Sequence, residues 1–225
     1  MKAIGLAFNT ESRFWKWMDI LGDLVRLNLL FILTSLPVVT IGASLTAMYS
    51  VLFKMREKRD GKLVQQYFAA WKENWKESTF IWVLYMAFLG TVAIQIFRGS
   101  NQGISIMYIF LGILLAVISM TVFYSFAMLA RFQNTLADTI VKAAIIASAG
   151  LPYTLVMALM AAALVILTIQ SYLSILIMAS FWLLFGFSLV AYVDVIFYLR
   201  VFRRFTAKED LPKEEEGQLS ATPEF

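Results

Sequence analysis

The sequence predicts an all-α fold, a polytopic bundle of about six transmembrane helices, and three observations carry that prediction. Uncharged apolar runs of the length read as membrane spans, about 18 residues or more, recur along the chain. Residues 27–53, 78–97, 104–130 and 143–193 hold no Asp, Glu, Lys or Arg. The composition is 60% apolar and 15% charged over 225 residues, with a mean hydropathy of +0.75. A soluble domain of that length needs far more polar surface to cover its core. Finally, the basic residues gather between the apolar runs, as the positive-inside distribution requires.

What is missing narrows the chemistry. The chain has no cysteine, so there is no disulfide, no thiolate nucleophile and no Cys-ligated metal. It has no histidine, the side chain most used to shuttle protons near neutral pH. The net charge of +4 is accounted for by the loops between spans and does not imply nucleic acid. No cofactor is expected. Lys2 is followed only by AIGLAF before the polar NTESR, too short an apolar core for a signal peptide.

Taken in order, FNTESRFWKWM (8–18) fits a short interfacial helix, with Trp15 and Trp17 at headgroup level. It also fits a plain polar approach to the first span. Residues 27–53 as one straight helix would measure about 40 Å, well over the roughly 30 Å of a hydrocarbon core. Pro37 disfavours helix at Leu36 and removes a donor, and β-branched Val38, Val39, Thr40 and Ile41 precede Gly42. Two helices, about 18–36 and 43–57, joined as a hairpin by PVVTIG, are therefore expected, with Ser44 as a candidate cap of the second.

Charge supports the hairpin. Residues 54–77 carry Lys54, Arg56, Lys58, Arg59, Lys62, Lys72 and Lys76 and should be cytoplasmic. Counting spans onward, the turn RGSNQG holds only Arg98, the return carries Arg131 and Lys142, and the last span meets Arg200, Arg203 and Arg204. A hairpin also keeps Lys2, Arg13, Lys16 and Arg26 inside. Both termini are thus expected in the cytoplasm, with the chain multi-pass in the membrane. The short hairpin halves leave full spanning, tilting and re-entry open.

LVQQYFAAWKENWKES places Val64, Tyr67, Phe68, Trp71 and Trp75 on one helical stripe. This reads as an amphipathic helix on the cytoplasmic leaflet, or as a partner-binding helix of the same pattern. In GLPY, Pro152 should kink the fifth span. The small residues around it, Ala144, Ala147, Ser148, Gly150, Ala158 and Ala161 to Ala163, suggest a helix packed inside the bundle or gating a path. Residues 1–205 form one bundle domain, and 206–225, polar and acidic, read as a disordered cytoplasmic tail.

Ionisable groups within a membrane are the default functional signal, and here they sit only near the cytoplasmic boundary. Asp19, Asp23 and Arg26 enter the first helix, and Asp194 and Arg200 leave the last. Asp23 pairs with Arg26, or Asp194 pairs across with Arg26; ion pairing and a partner site both fit. Thr135 and Asp138 match a capping box, alongside an alternative reading of Arg131, Asn134 and Asp138 as one functional cluster.

The stretches LNLLFILTSLPVVTIGASLTAMYSVLFKM, YFAAWKENWKES and ARFQNTLADTIVKAA resemble the bacterial YesL-like family of integral membrane proteins over about residues 8–205. Trp71 and Trp75 stand where that family commonly has phenylalanine, while Pro37, Thr40, Ile41, Gly42, Arg131, Asn134 and Thr135 match its pattern. The resemblance assigns no catalytic residue. Family members are commonly encoded beside carbohydrate ABC transporters, sensor kinases and polysaccharide-degrading enzymes, which implies a supporting role in carbohydrate uptake or its regulation. The expectation is a non-enzymatic accessory protein that contacts the lipid bilayer and such transporter or kinase subunits. The alternative is a small permease or channel for neutral molecules, its path lined by Asn28, Ser35, Thr40, Ser44 and Gln95.

Overall fold

The computed structural model describes residues 2–57, 61–99, 106–132 and 135–209. Among them the chain is helical without strands: α1 (Lys2–Thr34), α2 (Ile41–Arg56), α3 (Leu63–Gly99), α4 (Ile106–Arg131), α5 (Leu136–Ala149), α6 (Leu151–Ile169), α7 (Tyr172–Phe181) and α8 (Phe187–Glu209). A 3₁₀ turn (Val38–Thr40) precedes α2, and a π-helical segment (Trp182–Gly186) fuses α7 to α8. Five stretches are long and apolar enough to cross a membrane: Val38–Arg56, Leu63–Arg98, Met107–Arg131, Leu151–Ile169 and Tyr172–Phe202. The expected sixth, the C-terminal half of α1, is helical but carries Asp19, Asp23 and Arg26 and is not among them.

Two expected interfacial helices are not separate elements. Residues 8–18 belong to α1 and residues 63–77 to α3, each continuous with the rest of its helix. Neither helix contains a proline, and Gly22, just past the first junction, is tolerated in a helix interior. The stripe on α3 is divided. Tyr67 is fully buried and Trp71 half-buried, while Val64, Phe68 and Trp75 are exposed.

The expected kink at Pro152 is instead a break. Gly150 ends α5, and Pro152 sits in the first turn of α6, where its missing N–H costs nothing. Nor is α6 interior: it buries only Thr154 and Met157. Its alanines leave open space on its inner side. α8 runs to Glu209, into the stretch expected to be tail; the rest of that tail, residues 210–225, lies outside the described residues.

At the centre stands α2, packed on α1, α3, α4 and α8. In α2, 61% of the most apolar stretch is buried, against 11–22% in the other four candidates. Ala47, Met48, Val51 and Leu52 of α2 meet Leu24 and Leu27 of α1, Phe126 of α4 and Val195 and Tyr198 of α8 in one core. Small residues make that close packing possible. Around it, Phe80, Leu84, Phe97, Phe110, Ile113, Leu159 and Leu173 form an exposed apolar band suited to lipid.

The break between α1 and α2 lies within this bundle's length, not at its far end. The Trp82 indole donates to the Val38 carbonyl at 2.7 Å. From Trp82, α3 continues to Gly99, about 25 Å further at 1.5 Å per residue.

Candidate functional site

The break is built by the residues around PVVTIG. Pro37 takes an extended conformation, and the Thr40 hydroxyl donates to the carbonyls of Thr34 and Pro37, each at 2.7 Å. Thr40 therefore satisfies the carbonyl end of α1 and the turn together. Ser44 does not cap α2: it lies inside the first turn and donates back to the Thr40 carbonyl at 3.0 Å. A Cβ on Gly42 would stand 2.5 Å from the Ser78 carbonyl oxygen and 2.8 Å from Trp82 Cβ. Glycine is required there because α3 passes too close for any side chain.

The charged residues at the basic end form separate local contacts. Arg26 pairs with Asp23 at 3.3 Å on the surface, and Asp194, its other expected partner, does not reach it. Arg131 reaches Glu57 at 2.9 Å and lies over the rings of Phe53 and Phe132, tying α4 to the end of α2. The Thr135 hydroxyl donates to the Asp138 carboxylate and accepts from the Asp138 N–H, so this pair starts α5. Asn134 lies outside the described residues. Trp75 is exposed beneath Lys76, and the buried Trp71 indole N–H has no partner among the described residues.

Asn28 makes the most elaborate polar contact inside the apolar band. Its amide nitrogen donates to the carbonyls of Trp182 at 2.9 Å and Leu183 at 2.8 Å. Its amide oxygen accepts from the Ser188 N–H at 3.1 Å. The π-helical segment displaces the normal ladder and frees these backbone groups, and a fully buried asparagine satisfies three of them.

Between α4 and α6, floored by α2 and α8, lies a cavity of about 410 Å³. Its wall is apolar, with Met48, Met120, Met157 and Phe187 among its residues. One carboxylate, Asp194, lies at its basic end, beside Tyr49, Tyr124 and Tyr198. Tyr49 packs edge-on against Tyr198, and Asp194 Oδ1 is buried with no hydrogen-bond partner among the described residues. Tyr124 packs edge-on against Tyr198 and bonds Thr154 at 2.9 Å. The three tyrosines are almost wholly buried and stop the cavity at that end.

None of the five residues expected to line a path, Asn28, Ser35, Thr40, Ser44 and Gln95, borders this cavity. Gln95 faces outward, and Asn28 and Ser44 are spent on backbone carbonyls. The tyrosines are dispersed over α2, α4 and α8, so sequence spacing carried no sign of their meeting; Asp194 was the one legible member. Among the described residues, no group of three or more acidic side chains is placed to hold a metal ion.

No curated protein and no solved structure matches the chain. A family model described as a protein of unknown function, DUF624, matches residues 24–96, which take in the end of α1, the break, α2 and most of α3.

Proposed function

We propose that this chain is a non-enzymatic accessory protein of the bacterial cell membrane, one that supports carbohydrate uptake or its regulation by binding and not by conducting or catalysing. The carbohydrate role rests on the resemblance to the YesL-like family, and the match over residues 24–96 is in keeping with it. The observation that carries binding over conduction is the dead end of the cavity. Tyr49, Tyr124 and Tyr198 close it with buried side chains whose rings pack edge-on. A permease would have to open that plug on every cycle. The basic stretch at 54–77 and the basic end of α8 support cytoplasmic termini.

The test is purification of tagged protein from its own membranes in gentle detergent, after growth on several polysaccharides. Near-stoichiometric recovery of transporter or sensor-kinase subunits is the expected outcome. Flux of neutral sugars in proteoliposomes holding this chain alone would replace the proposal with the permease.

A further inference from the structure

We propose that the cavity between α4 and α6 is a lateral binding site for a membrane-dissolved amphiphile with an apolar chain and a cationic amine at one end. This goes beyond the accessory role and stands whether or not carbohydrate transport is involved. The cavity's volume, about 410 Å³, lies within the range of small-molecule sites, roughly 300–1,000 Å³. It is bordered from Asp194 to Trp182 along the last helix, about 18 Å at helical rise, which suits a dodecyl chain. Several residues on its border, Ala116, Phe123, Ala158, Ala161 and Phe187, are exposed on the outer surface of the bundle. A ligand therefore enters sideways from the bilayer, between α4 and α6, where Ala158 and Ala161 stand on α6.

The head-group chemistry is set by Asp194. It is the only acidic or basic residue bordering the cavity, and an ionisable residue at membrane depth needs a partner. Tyr49 lies beside it on the cavity border, and Oδ1 is buried with no hydrogen-bond partner among the described residues. The terminal torsion of an aspartate is soft, so the carboxyl can swing to meet a donor arriving along the cavity. Arg26, Arg56 and Arg131 are occupied with Asp23, Tyr192 and Glu57, and no cation of the protein pairs with Asp194 among the described residues. An ammonium gives the strongest hydrogen bond to a carboxylate, an alcohol a weaker one, and a carboxylate amphiphile is repelled.

The experiment uses the full chain, purified in nanodiscs, with radiolabelled dodecylamine, dodecanol and dodecanoate as probes. Saturable binding of one dodecylamine per chain is expected, about tenfold tighter than dodecanol, with dodecanoate weakest. Asp194→Asn should abolish the preference for the amine. Ala161→Phe, at an exposed position whose side chain would fill the cavity, should block all three probes. Equal affinity for the amine and the acid, or an Asp194→Asn protein that keeps the amine preference, overturns the proposal. If Asp194→Asn does not fold, Ala161→Phe decides, since undiminished amine binding in that variant places the ligand elsewhere.

Discussion

The Asn28 amide donates to the carbonyl of Trp182 at 2.9 Å across the α1–α8 interface, at the point where the last helix slips into π geometry. Together with its bonds to Leu183 and Ser188, this ties α1 to the last helix through three backbone groups, beside the Ser188 hydroxyl's bond to the Leu24 carbonyl and the packing of Leu24 and Leu27. Asn28→Leu keeps the volume and leaves two carbonyls and one N–H unpaired in an apolar setting. Each unsatisfied group costs about 1–3 kcal/mol, although polar bonds between membrane helices average nearer 0.6 kcal/mol. A loss of about 2 kcal/mol is expected, read as a lower melting temperature in detergent. A variant as stable as the parent would show that the π segment satisfies itself.

Gly42 and Gly90 make a matched pair for testing the α2–α3 contact. A Cβ at Gly42 meets the Ser78 carbonyl at 2.5 Å, whereas one at Gly90 meets nothing within 4 Å. Gly42→Ala must push the helices apart and should destabilise by about 1–3 kcal/mol. Gly90→Ala should be neutral or stabilising by up to about 1 kcal/mol, as expected for an unhindered helix interior. Equal melting points for the two variants would mean that the helices separate freely at that crossing.

The depth of the α1–α2 hairpin is open to chemical labelling. The break stands level with Trp82, and α3 runs on for about 25 Å past it. The hairpin tip, with Leu36, Val38 and Val39 exposed, therefore belongs in the bilayer and not beyond it. In the cysteine-free chain, Thr40→Cys should resist an impermeant maleimide applied from outside intact cells, while Arg98→Cys should react. Reaction at Thr40 from outside would restore a pair of full spans.

The Arg131–Glu57 contact at 2.9 Å is only partly exposed on both sides, and Arg131 also lies over Phe53 at 5.4 Å. Salt bridges near a surface contribute about 0–1 kcal/mol, and a cation over a ring about 0.5–1 kcal/mol. In a double-mutant cycle of Arg131→Ala and Glu57→Ala the ring contacts cancel, so the coupling, from the ion pair alone, should be about 0.5–1 kcal/mol and fall with added salt. Arg131→Lys should recover less than half of it, because an ammonium neither stacks nor forks. Zero coupling would mean that Arg131 acts through the rings alone.

Residue pattern alone settled the helical, membrane-embedded class, because uncharged runs such as 104–130 have no stable alternative to helix in lipid. It also located the break at Pro37, whose backbone constraint is local, whereas the need for glycine at 42 comes from the close approach of α3. Other features depended on which helices meet. Continuity of α1 and α3 came from the absence of proline, while tryptophans suited to the headgroup region at 8–18 and an amphipathic stripe at 63–77 had suggested separate surface helices. Alanines on α6 read as a packing face, yet Ala158 and Ala161 border open space, since small residues permit close approach without compelling it. The pairing of Asn28 with a π segment and the gathering of Tyr49, Tyr124 and Tyr198 around Asp194 join residues far apart in the chain. No local spacing encodes such contacts; only the packing of α2 between α4 and α8 decides them.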